Sequence, residues 1–123
     1  MKFKTRAEFY DSKRWHELRH AILRRDKYRD MIKHRYGHMV PAEVVHHIFP
    51  LDEFPEYAWA PWNLISISRS THNTLHARDS DELTEAGQEL LRRTARRRGM
   101  EIPEKYREQE KKNEWKIGKS KRG

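Results

Sequence analysis

VVHHIFP (residues 44–50), WNLISI (62–67) and THNTLH (71–76) are the segments on which the reading of this chain turns. The first is β-branched and histidine-rich, which favours a short strand over 44–48, and NLISI (63–67) predicts a second. Between them, FPLDEFPEYAWAPW (49–62) carries Pro50, Pro55 and Pro61. Prolines at that density exclude a helix interior and predict an ordered irregular loop. Ser70 or Thr71 stands where it can cap a helix through His72 and His76. The result is a strand, loop, strand and helix unit that carries four of the eight histidines.

Their spacing has a geometric consequence. His72 and His76 are i and i+4, so on a helix both lie on one face, a turn apart, where they can chelate one ion. His46 and His47 are adjacent in a strand and point to opposite faces. One of them can join a metal site, and the other faces elsewhere or towards a substrate. The pattern predicts a division of labour, with His46, His72 and His76 as ligands and His47 as a base. Phosphodiester cleavage needs such a division. A base must deprotonate water, imidazole titrates near neutral pH, and a ligated nitrogen cannot accept the proton. A purely structural metal site is the rival reading of the same four residues.

Outward from this unit, FYDSKRWHELRHAILRRDK (9–27) reads as a helix. Ser12 is a candidate N-cap, and Trp15, Leu18 and Ile22 share one face. The pattern weakens near Asp26 to Tyr28, and Gly37 marks a turn. Downstream, Leu83 to Arg98 predicts a helix capped by Thr84, with Leu90 and Leu91 inward and Gly99 as its stop. Pro103 opens a last helical stretch to about Trp115, and IGKSKRG (117–123) reads as a frayed tail.

The chain has 123 residues, a length that fits one domain, and a mean hydropathy of −1.18. No apolar run approaches the roughly 18 residues of a membrane span, and no signal-peptide pattern is present, so a cytoplasmic location is expected. The absence of cysteine excludes disulfides, thiolate zinc sites and iron–sulfur clusters. The net charge of +8 is uneven. Residues 1–39 hold twelve Lys and Arg against five acids, while residues 40–67 hold none against four. A locally acidic centre between basic arms suits a polyanion gripped on either side of a site.

Through VVHHIFPL, WNLI and THNTLH the sequence resembles the HNH endonucleases and their ββα-metal motif. His47 to Asn63 is 16 residues and Asn63 to His72 is 9, as that motif requires. FYDSKRWHELR and RRD resemble the helical lead-in of phage-type members, and LTEAGQELLRR resembles their post-motif helix. The likeness covers about residues 8–95. It implies a single-metal nuclease in which His47 is the general base and His46 and His72 are metal ligands. Asn63 would hold the loop that carries the base, and His76 would be the additional ligand of three-histidine members such as the colicin-type nucleases. The sequence departs from the family where many relatives carry two CxxC pairs for a structural zinc. Asp30 and Lys33 fall near the first pair, and Ser68 and Thr71 near the second. Packing of Met31, Tyr36 and Trp62, with polar contacts among the four substituted positions, is the expected replacement.

Arg69, close to His72, is a candidate phosphate contact. Arg92, Arg93, Arg96 and Arg97, within a run that ends at Arg98, are candidates for tracking a nucleic-acid backbone, and Lys13, Arg14, Arg24 and Arg25 are similar. Trp59 and Trp62 are expected to pack in the core. Glu43, Asp52, Glu53 and Glu56 are candidates for orienting the ligating imidazoles. His16, His20, His34 and His38 have no counterpart in the motif. His16 and His20, also i and i+4, are expected as exposed helix residues.

The sequence therefore predicts a small α+β protein, a ββα-metal core with flanking helices. The expected domain spans 1–100, followed by a basic C-terminal helix and tail over 101–123. The expected function is metal-dependent hydrolysis of DNA, with one divalent ion, Mg or Mn, and Ni or Zn as further candidates. The family implies products with 5′-phosphate and 3′-hydroxyl ends. DNA is the expected partner, with no membrane, in a bacterial or phage-infected cell; phage packaging proteins enter by analogy only. Two alternatives stand beside this: a non-catalytic nucleic-acid-binding protein of the same fold, and an interaction module stabilised by a closed four-histidine metal site.

Overall fold

The computed structural model describes residues 5–108 and contains seven helices and strands, the predicted unit among them. They run α1 (Arg6–Asp11), α2 (Lys13–Arg25), α3 (Met31–Arg35), β1 (Val44–His47), β2 (Leu64–Ile67), α4 (Arg69–Leu75) and α5 (Glu85–Arg98). The strands pair antiparallel, with His46 opposite Ile65 and His47 opposite Leu64. Two single 3-10 turns, Pro55–Tyr57 and Pro61–Asn63, punctuate the proline-rich loop, each opened by a proline that already holds the required φ. The α+β architecture is the one the sequence predicts.

The alternation of β1 divides the core. Val45 belongs to a cluster with Phe9, Trp15, Ile22, Leu23, Leu51, Ala58 and Leu64, built largely from α1 and α2. Ile67 belongs to a second cluster with Ile48, Phe49, Leu75, Leu83, Leu90, Leu91, Ala95 and Tyr106, built from α4, α5 and the segment after them. Successive β1 residues therefore look into different surroundings, which separates His46 from His47.

Helix boundaries differ from the sequence reading in several places. The first helix is two: Ser12 closes α1 through its backbone N–H on the Phe9 carbonyl and caps α2 by accepting from the Trp15 N–H at 3.1 Å. Its extended backbone bends the chain there, which seats Tyr10 beside the sheet. The cap of α4 is Ser68, whose Oγ accepts from the Thr71 N–H at 3.2 Å; β2 ends at Ile67, so the extended residue that must precede the helix falls one step later, at Ser68. The stretch opened by Pro103 makes one 3-10 turn (Glu104–Tyr106) and is extended again at Arg107. The remainder of that expected helix and the expected tail lie outside the described residues. Thr84 and Gly99 cap α5 as predicted, with Gly99 at φ 69.

The free edge of β2 is closed by side chains. Asp26 Oδ2 accepts from the Ser66 N–H at 3.1 Å, and Arg25 donates to the Leu64 carbonyl at 2.7 Å while pairing with Asp26 at 2.9 Å. Asp30, with no exposed surface, accepts from the Ser68 N–H at 2.9 Å and from the Ile32 and Lys33 N–H groups that open α3. Thr71 adds a side-chain hydrogen bond to it. Polar contacts among the substituted positions thus tie the two halves together. Lys33 contributes only its backbone, and Tyr36 is 64% exposed, contrary to expectation.

Candidate active site

His46, His72 and His76 converge. One ring nitrogen from each can be chosen so that all lie within 4.8 Å of one another. β1 supplies His46 and α4 supplies His72. His76 sits one residue past the end of α4, as its extended C-cap, and makes an isolated bridge to Leu83. The i, i+4 pair therefore meets across a helix terminus rather than within a helix. The His76 Nδ1–H donates to the Asp81 carbonyl at 3.2 Å, which leaves Nε2 as its lone-pair nitrogen. Orientation of this imidazole falls to a backbone carbonyl; the four acids expected in that role are engaged elsewhere or make no contact with a histidine. Asp52 pairs with Arg6, Glu53 accepts from the Tyr106 hydroxyl, and Glu43 lies 3.6 Å from Arg69.

The donor set suits a metal ion. His46 is 2% exposed, and its Nε2 is buried with no hydrogen-bond partner. Burial, reinforced by the charges of His76, His72 and His47, holds its pKa well below the ordinary imidazole value. Burial likewise lowers His72, with His76 and Arg69 adding to it. Neutral imidazoles with a free lone pair are what a divalent cation binds. Among the described residues this is the one such cluster of three or more metal-type side chains.

His47 is not part of the cluster. Its ring stacks on Trp15 at 5.2 Å and meets Phe9 and Tyr10 edge-on. Its Nε2 lies 3.1 Å from the Ala58 carbonyl, an oxygen that can only accept, so Nε2 carries the proton. The lone pair is then on Nδ1, where it accepts from the Tyr10 hydroxyl at 3.1 Å. Burial, the dominant influence, lowers the His47 pKa against the raising effect of the Ala58 bond, and the charge of Arg6 adds to the lowering. Burial also raises the Tyr10 pKa, against the opposing pull of Arg6, so the phenol stays a donor. Arg6 in turn pairs with Asp81 at 2.5 Å and Asp52 at 3.5 Å. Sequence reasoning does not single out Tyr10 or Arg6. Tyr10 lies in FYDSKRW, the lead-in of the motif, and that position is its only signal.

Asn63 is fully buried and joins the ends of the loop. Its Oδ1 accepts from the Phe49 N–H at 2.7 Å, and its Nδ2 donates to the Phe49 and Tyr57 carbonyls at 3.1 and 3.3 Å. The loop so held presents the Ala58 carbonyl to His47. All four histidines line one groove of about 1310 Å³, with Tyr10, Arg6 and Arg19 on its walls.

The candidate nucleic-acid contacts separate. Arg69 is exposed beside the groove. Arg92 is 3% exposed; its guanidinium is engaged by Glu85, by Glu89 at 3.2 Å and by the Tyr106 carbonyl at 3.0 Å. It therefore fastens α5 to the following segment, and the expectation that it faces nucleic acid fails on burial. Arg96 pairs with Glu89 at 3.2 Å, while Arg93 and Arg97 open elsewhere. Trp59 and Trp62 pack as expected, Trp59 against Phe9 and Trp62 against Phe49 and Tyr57. His16 and His20 are exposed on α2. No described helix is long and apolar enough to cross a membrane.

No family model and no curated protein matches the chain. Among solved structures it is similar to the HNH endonuclease of the deep-sea thermophilic bacteriophage GVE2, determined with a manganese ion. The identity is 30%, the match covers 55% of this chain and 73% of the phage protein, and the TM-score is 0.54. At that identity over nearly three-quarters of the phage enzyme, and with the ββα core and its histidines in place, the chain belongs to the HNH endonuclease family.

Proposed function

We propose that the protein is a metal-dependent endonuclease that hydrolyses DNA phosphodiester bonds. The observation that carries this reading is the buried, unpartnered Nε2 of His46 beside His72 and His76, in the groove that His47 also lines. His46, His72 and His76 would hold one divalent ion. When bound, such an ion supplies Lewis-acid stabilisation to the phosphate and the departing 3′ oxygen. Three imidazoles suit manganese, nickel or zinc better than magnesium by ligand softness, and the phage relative was solved with manganese.

The chain's own residues do the remaining work. Ala58 keeps the proton of His47 on Nε2, so Nδ1 is the atom that takes a proton from water. Stacking on Trp15 fixes the ring plane, and Asn63 fixes the loop that supplies the Ala58 carbonyl. The Tyr10 hydroxyl marks the position on Nδ1 that the attacking water must take over. Arg69 stands where it can neutralise a phosphate next to His72. DNA enters a groove whose overall setting is a chain of charge +8, so binding weakens steeply with salt.

The test is nicking of supercoiled plasmid with Mg, Mn, Ni or Zn, with EDTA and His47→Ala as controls. Metal-dependent nicking that disappears in both controls supports the reading. DNA binding without nicking in any of the four metals refutes it and favours a non-catalytic nucleic-acid-binding protein.

A further inference from the structure

A second cleft, of about 390 Å³, opens where α2, α3 and α5 meet the turn at Trp62, and it shares no lining residue with the histidine groove. Five arginines line it, Arg25, Arg35, Arg93, Arg97 and Arg98, against one carboxylate, Asp26. Arg25 already neutralises Asp26 and donates to the Pro61 and Leu64 carbonyls. Four guanidinium groups remain unbalanced. Arg93 and Arg97 are a turn apart on α5, and Arg35 comes from α3, so the charge converges from separate elements and is more than one helix's basic last turn.

Two details point to an anionic ligand. Arg93 Nε is buried and has no hydrogen-bond partner, and among the described residues Arg35, Arg93 and Arg97 pair with no carboxylate. A buried, unsatisfied donor is costly unless an acceptor arrives to meet it. Guanidinium groups match the oxygens of a phosphate in paired hydrogen bonds. The floor, which includes Ile32 and Ile65, is apolar and can take the sugar face of a nucleotide. Arg98 lies over the Trp62 ring at 4.3 Å and covers that face against base stacking. The cleft is therefore fitted to a backbone rather than to a particular base.

We propose that this cleft is a second, non-catalytic DNA-backbone site, which grips a segment of DNA away from the one in the histidine groove. The identity of the polyanion rests on the nuclease reading. Its test does not need catalysis: affinity for a long DNA duplex, measured by fluorescence anisotropy in EDTA across a range of salt concentrations. Arg35→Ala/Arg97→Ala removes two exposed cations, so the fold is preserved. The expected result is binding weakened roughly tenfold or more and a log–log salt slope smaller in magnitude by about 2. Lys27→Gln/Lys33→Gln, which removes the same charge at two exposed positions outside both clefts, is expected to leave binding much closer to the parent. Arg93→Lys, which keeps the charge but not the paired geometry, is expected to fall between. Equal losses in the cleft and control variants, or an unchanged slope in the cleft variant, overturn the proposal. Failure of plasmid nicking in every metal would overturn the catalytic reading, whereas the salt slopes would still decide whether the cleft binds DNA.

Discussion

Asp30→Ala removes the carboxylate that stands where zinc-bearing relatives are expected to carry thiolates, and its cost can be worked from the contacts. One oxygen caps α3 through the Ile32 and Lys33 N–H groups at 3.0 and 2.9 Å, and losing an Asp cap costs about 0.5–2 kcal/mol. The other accepts from the Ser68 N–H, and stranding that buried donor costs about 1–3 kcal/mol. The Thr71 contact is lost as well. A combined loss of about 2–5 kcal/mol is expected, a large share of the roughly 5–15 kcal/mol typical of a domain. Urea unfolding followed by tryptophan fluorescence measures it. Asp30→Asn keeps an acceptor for the cap but turns an amide towards the Ser68 N–H, and is expected to fall between.

The pH dependence has a fixed sign. Burial pushes the Asp30 carboxyl up, but bonds from Thr71, Lys33 and Ser68 outweigh it and hold the pKa below the ordinary value. The contribution is therefore complete above the unfolded-state pKa of about 3.9 and is lost as pH falls through the lowered folded value. The gap between wild type and Asp30→Ala should be flat at neutral pH and close only in acid. A loss under about 1 kcal/mol, or a gap that closes near pH 6, would refute the assignment of Asp30 as the tie between the two halves.

His47→Ala is expected to reduce plasmid nicking by about 10²–10⁴ while leaving DNA affinity unchanged, read by nicking and anisotropy on the same preparations. Tyr10→Phe keeps the Ala58 bond and hence the tautomer, so nicking should persist; a loss as deep as that of His47→Ala would make the tyrosine hydroxyl, not the imidazole, the group that meets water. Gly87→Ala drives a Cβ into the Leu75 carbonyl, where α5 crosses the end of α4, and should cost about 1–3 kcal/mol in thermal unfolding and weaken manganese binding through the adjacent His76. His46→Leu should abolish manganese binding in a calorimetric titration yet raise the melting temperature of the metal-free protein, because it removes an unsatisfied buried nitrogen worth about 1–3 kcal/mol.

The ββα unit is legible in the sequence because each of its signals is local. β-branched runs, clustered prolines and the i, i+4 histidines act over a few residues, and the faces of His46 and His47 follow from strand alternation alone. What sequence reasoning misses depends on distant partners. Arg92 and Arg93 are neighbours of the same type. Only the positions of Glu85, Glu89 and Tyr106 decide that one is a buried tie and the other opens into a cleft. Beyond its place in the lead-in, Tyr10 has no local signal for its role, since its hydroxyl meets a histidine 37 positions away. The break at Ser12 is half legible: the capping residue is recognisable, but a cap that also ends a preceding helix looks the same in a short window.

The strand that separates the two histidines also explains why their surroundings can differ so sharply in polarity. His47 is enclosed by aromatic rings and has both nitrogens satisfied, so the fold holds it in one tautomer without help. His46, one residue earlier and equally buried, has a nitrogen left unsatisfied by every protein group around it. Packing alone would favour an apolar residue at that position. Under the proposed roles the two neighbours are thus stabilised by different agents: His47 by the chain, and His46 by the cation it would bind. On that division the apo protein should tolerate apolar replacement of His46 far better than of His47, whose loss removes bonds to both Ala58 and Tyr10. A ranking in the opposite order would mean that His46 contributes to the fold in a way its contacts do not account for.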